Sequence, residues 1–151
     1  MPAPRVRRRA RERALQFLFG LEFTGAPWHE ALDGFWRMRP SRPSVKRYAQ
    51  RLIRGVCEGR DALDAEVAGA LERWSPGRVG RVERNILRVA LYEMRHQEDV
   101  PVNVAINEAI EIAKVYGADE APRFVNGVLD RLKTSGQNAD GPETAAEGLG
   151  D

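Results

Sequence analysis

The side chains able to do chemistry are few and poorly placed for catalysis. The two histidines, His29 and His96, fall in unrelated segments. Glu93-Met94-Arg95-His96 has the Glu-x-x-His spacing that sets a carboxylate and an imidazole on one face of a di-metal helix. Such a site needs a second copy and further acids, which the chain lacks, so the spacing is read as coincidence. No GxxxxGK(S/T) loop, GxGxxG turn or G-x-S-x-G elbow occurs. Cys57 sits in a mainly apolar helical pattern without a positioned histidine and reads as a packing residue. As the lone cysteine it can form no internal disulfide, which fits a reducing cytosol. These features argue against an enzyme and imply no metal and no cofactor.

The chemistry the sequence favours is the neutralisation of a polyanion. The net charge of +2 conceals strong segregation. Residues 1 to 13 hold six arginines, among them Arg7, Arg8, Arg9 and Arg11, against the single acid Glu12. Residues 37 to 54 hold seven basic residues and no acid, and the stretch after Lys133 holds four acids and no base. Left in solvent, six arginines with one counter-charge would repel one another. Contacts to phosphates would release counterions instead. Phe19 projects nearly opposite the core direction of the same segment. It is either a ring of a helix buried on two sides or an exposed ring suited to stacking a base. The stripe Lys46, Arg47, Arg51 and Arg54 is either a second RNA surface or solvated charge.

Apolar residues recur at helical spacing from end to end, with no strand-like alternation. A first helix is expected over residues 6 to 21, with Val6, Ala10, Ala14, Phe17, Leu18 and Leu21 on one face and Arg7, Arg11 and Arg13 flanking it. After Pro27, the residues Trp28, Ala31, Leu32, Phe35 and Met38 form a second packing face. The apolar phase from Val45 to Trp74 is unbroken and predicts one long helix, kinked near Gly59. Ser75-Pro76-Gly77 is a turn, and a further helix follows over residues 79 to 95. Glu83 falls within its apolar face, in the first turn. There it complements the helix dipole or pairs with an arginine of the first helix.

The run from 99 to 133 has the clearest pattern and reads as the centre of the fold. Val102, Ala105, Ile106, Ala109, Ile110, Ala113 and Tyr116 make one stripe, and Glu108 and Glu111 fall on its solvated face. Gly117 stands where a left-handed residue would close that helix. In the next helix Gly127 reads as a point of close backbone approach. Residues 134 to 151 are rich in Gly and acid, have little to bury, and are expected to be disordered. No apolar run approaches the roughly 20 residues of a membrane helix, and the basic start lacks a signal peptide's apolar block.

VPVNVAINEAIEIAKVYG followed by RFVNGVLDRL resembles the closing segment of the NusB family, bacterial transcription antitermination factors. RRRARERALQFLF and VERNILRVALYEM match the same family in the same order. The matches thread residues 7 to 133, weakly between about 23 and 78. The resemblance implies an all-α fold, a compact bundle of about six to seven helices in two helical subdomains. It implies binding of a boxA-type, single-stranded RNA together with the ribosomal protein NusE, within a cytoplasmic transcription elongation complex, as monomer or homodimer. Carried over by position, the arginine-rich start would contact phosphate, Arg123 would contact backbone, Phe124 would stack or pack near a base, and Asn126 would lie at the RNA surface. Glu83 would meet NusE. Phe19 stands where the family often has tyrosine, and Ala121-Pro122 where a serine-containing pair is commoner, so some hydrogen bonds of the family site are missing here. NusB-like domains also occur fused to RNA cytosine methyltransferases, but nothing here resembles a cofactor-binding α/β domain. A role in rRNA processing is a related alternative. A helical scaffold without nucleic acid would leave the arginine run unexplained.

Overall fold

A computed structural model describes residues 3–71 and 79–148, with side chains described as far as Ser135. Among the described residues there are seven helices: α1 Pro4–Leu21, α2 Trp28–Met38, α3 Pro43–Glu58, α4 Arg60–Ala70, α5 Arg81–His96, α6 Val102–Tyr116 and α7 Ala121–Gly148. α1 and α3 each open with a proline in the first turn, where its missing N–H leaves no bond unmade. Among the described residues no helix is long and apolar enough to cross a membrane.

The expected long helix is two. The chain leaves helical geometry at Gly59, with φ −106° and ψ 18°. The apolar phase does survive the break, since Leu52, Ile53, Val56, Leu63 and Val67 are all buried. Trp74 and the Ser75-Pro76-Gly77 turn lie outside the described residues. In α2 the buried ring is Trp36, while Met38 is 78% exposed and takes no part in the packing face.

The centre of the molecule is α5 rather than the 99–133 hairpin. α5 packs against α1, α3, α4, α6 and α7. Leu87 and Leu91 are fully enclosed, and so, nearly, are Asn85, Arg88 and Glu93. A helix buried all round keeps polar residues only where partners await them. On a helical wheel those residues imitate a solvent face. α6 and α7 pack together as a hairpin on α5, while α1 packs against α2 and α3 as well as α5. A single hydrophobic core runs through both groups.

Two glycines have roles other than those expected. Gly117 is extended (φ −95°, ψ 176°), not left-handed. Its requirement is space, because a Cβ there would sit 3.0 Å from Glu83 Oε2 and 2.5 Å from the Ala121 Cβ. Gly127 faces open space. The close approach occurs instead at Gly55, where a Cβ would collide with the Tyr92 ring.

Candidate nucleic-acid interface

The arginines of α1 do not form a uniform cationic surface. Arg11 stands seven residues before Leu18, and Glu93 seven after Ile86, so each lies on an apolar stripe and is carried inward. Arg11 is 3% exposed and Glu93 1%. The Arg11 Nε–H donates to both Glu93 oxygens at 2.8 and 3.0 Å, and the Tyr48 hydroxyl donates to Glu93 Oε2. The Tyr48 phenol is pushed up, first by burial and then by the Glu93 charge and hydrogen bond. This cluster joins α1, α3 and α5. Arg11 is therefore a core residue, and the expectation that it neutralises phosphate is corrected.

The neighbouring arginines are paired as well, to differing depths. Arg7 is mostly covered, donates to Asp99 at 2.8 Å, and lies over the Tyr48 ring at 5.8 Å. Arg8 forms a two-pronged pair with Glu108 at 2.6 and 2.7 Å. The bond from Arg8 holds the Glu108 carboxyl below the usual carboxylate range, and the same bond raises Arg8. Glu108 also accepts from Arg11 Nη1 at 3.3 Å, so it is not the solvated charge expected. Arg9 is 56% exposed and, among the described residues, pairs only with Glu12, at 3.2 Å. The outward cations of this helix are thus Arg5, Arg8 and Arg9.

At the far end of α1, Phe19 is partly exposed, packed edge-to-face on the more exposed Phe23 at 5.2 Å. The ring is thus not buried on a second side of the helix. Gln16 donates to the Tyr116 hydroxyl at 3.2 Å, which ties this end of α1 to the end of α6. The Arg8–Glu108 and Gln16–Tyr116 contacts are eight residues apart along α1, about 12 Å. Just beyond Tyr116, the start of α7 presents Arg123 and Asn126 to solvent, with Phe124 half-buried against the core.

Glu83 is half-buried and pairs with no arginine of α1. Its Oε2 accepts the backbone N–H of Ala118 at 3.1 Å, pinning the α6–α7 turn to the start of α5. A second buried cluster went unread in the sequence. Arg88 forks onto Asp64 at 2.7 and 2.9 Å and donates to Asn85 Oδ1, while Asn85 donates to Glu22 at 2.6 Å. Cys57 is half-buried, and burial pushes its thiol up to about 11, which suits a packing role over reactivity. Glu93 is committed to Arg11, and His96 lies against the Tyr92 ring at 5.1 Å, so the Glu-x-x-His pair does not converge on a site.

The arrangement is that of a small all-α binding protein. Among the described residues its charged groups either lock helices together or stand at the surface. A family model described as the NusB family matches residues 8–134, and the chain belongs to that family. The transcription antitermination protein NusB of Rubrobacter xylanophilus is 48% identical over 123 residues, covering 82% of this chain and 86% of the relative. NusB of T. maritima is a solved structure with 38% identity and TM-score 0.75, covering 87% of this chain and 92% of that one. A crystal structure of the antitermination factors NusB and NusE in complex with dsRNA matches with TM-score 0.79 over 88% of this chain and 99% of that one. At 24% identity this last likeness concerns the fold alone.

Proposed function

We infer that this chain binds a boxA-type, single-stranded RNA together with the ribosomal protein NusE, as an antitermination factor of the cytoplasmic transcription elongation complex. The observation that carries the reading is the NusB match along residues 8–134, which covers α2 to α6 whole and most of α1 and the first half of α7. The geometry narrows the contacts. Arg8 and Arg9 supply phosphate contacts, with Arg7 and Arg11 as the struts that fix their helix. Arg123 and Asn126 offer donors beside the half-buried Phe124 ring, and Phe19 offers a second ring. Glu83 belongs to the NusE side, presented by the turn it pins.

The test is titration of a labelled boxA-type RNA, with and without NusE, against wild type and Glu83→Lys. Wild type should bind the RNA alone and more tightly with NusE. Glu83→Lys should weaken ternary assembly far more than binary binding. An absence of RNA binding in both settings overturns the function. Equal losses from Glu83→Lys in both, or an unfolded variant, would make that carboxylate purely structural.

A further inference from the structure

The solvent face of α3 carries more unpaired charge than the start of α1, where among the described residues Arg5 is the one exposed arginine without a carboxylate within 4.0 Å. Arg7, Arg8, Arg9 and Arg11 each have a carboxylate partner. Lys46, Arg47 and Arg51 are exposed, and among the described residues none has a carboxylate within 4.0 Å. Only Arg54 of the stripe is paired, with Glu58 at 3.2 Å on the same helix. Two of these cations are seated on rings. The Lys46 ammonium lies 5.8 Å from the centre of Trp36, and the Arg51 guanidinium 5.9 Å from that of Tyr48. Aromatic seats of this kind hold the charged heads at the surface and reduce the ordering cost of a contact. The stripe is also continuous with α1, since Arg7 lies over the same Tyr48 ring as Arg51. From Lys46 to Arg54 the face runs about 12 Å along the helix.

We propose that Lys46, Arg47 and Arg51 form a track for the phosphodiester backbone of single-stranded RNA flanking the primary site. The proposal rests on the RNA-binding reading above and adds a second, sequence-independent surface to it. Unpaired cations along one helix face offer phosphate contacts, which carry no sequence information. Flanking nucleotides should therefore raise affinity whatever their sequence.

The test compares two RNAs by fluorescence anisotropy over a range of salt: a short boxA-type strand, and the same strand lengthened at both ends with uridines. The proteins are wild type, a Lys46→Gln/Arg47→Gln/Arg51→Gln triple variant, and Arg47→Lys/Arg51→Lys. Wild type should bind the long strand more tightly and with a steeper salt dependence. The triple variant should match wild type on the short strand and lose the gain from length. Its slope of log K against log salt on the long strand should flatten by about 2, three contacts at about 0.7 each. The lysine variant, which keeps the charge and controls for folding, should retain most of the gain. No gain from length in wild type, a gain kept by the triple variant, or equal losses on both strands would each overturn the track. A kept gain would leave the stripe to an acidic protein surface. Failure of wild type to bind either strand would instead remove the function on which the track rests.

Discussion

Replacing Arg11 by methionine should destabilise the fold far more than it weakens RNA binding. The substitution keeps most of the side-chain volume and removes the guanidinium. Glu93, 1% exposed, would then be a buried carboxylate held only by the neutral Tyr48 hydroxyl. Removing one partner of a buried pair costs about 3–5 kcal/mol. Arg11→Met belongs near the upper end, because it removes the guanidinium that holds a fully buried anion. Glu93→Met belongs near the lower end, because Arg11 keeps Glu108 at 3.3 Å. For a chain of this size each kcal/mol moves Tm by about 2–4 °C, so Arg11→Met should lose about 10–20 °C and Glu93→Met about 6–12 °C. The double variant removes both charges and strands only the Tyr48 hydroxyl, at about 1–3 kcal/mol. It should therefore melt above Arg11→Met, and the cycle should show strong coupling. Calorimetric melting with RNA titration on the same samples decides the matter. A Tm within about 2 °C of wild type, combined with a large loss of RNA affinity, would refute the assignment of Arg11 to the core.

Gly55→Ala should destabilise by at least about 1–3 kcal/mol, because its Cβ meets the Tyr92 ring. Gly127→Ala, in open helix, should stabilise by up to about 1 kcal/mol; chemical denaturation of both variants checks the contrast. Phe124→Ala should cost about 1–3 kcal/mol in RNA affinity if the ring stacks on a base. Phe124→Leu should recover stability but little affinity, and recovery of both would place the ring in the core alone. Arg8 depresses the Glu108 carboxyl, so their pairing stabilises the fold above the unfolded carboxyl's value of about 4.3 and is lost as pH falls through the lower folded value. Glu108→Gln should be less stable than wild type near neutrality, with the two curves converging in acid; a constant gap would contradict the pairing. α7 runs on to Gly148, so residues 134 to 148 are helical and not the disordered stretch expected; ending the chain after Lys133 should still leave Tm essentially unchanged, as the composition of residues 134 to 151 offers little to bury.

Helices were legible here because apolar spacing is a local property. The stripes of α1, α5 and α6 needed nothing beyond their own residues to be seen. Partners across the fold were not legible, and this is where the reading of charge failed. Counting acids near the arginine run found only Glu12, but Asp99, Glu93 and Glu108 come from 82 to 100 residues away. A signal was present and passed over. Arg11 and Glu93 sit in the phase of apolar stripes, where an unpaired charge is prohibitive, so one such residue in each of two helices already hints at a pair. The glycines failed for a related reason: their sequence neighbours say that a side chain is missing, not what fills the space. The start of α7 was legible as a motif, and its exposed Arg123 and Asn126 lie where a ligand can reach them. The arginine run thus has two functions that sequence alone superimposed. Arg11 and Arg7 bind helices to one another, and Arg5, Arg8 and Arg9 remain for solvent or phosphate. A phosphate at Arg8 must displace Glu108, so the net gain there is an exchange of anions. At Lys46 and Arg47 no such exchange is required, and each phosphate bound adds its full counterion release. Salt dependence in this protein should therefore report α3 more faithfully than it reports the arginine-rich helix.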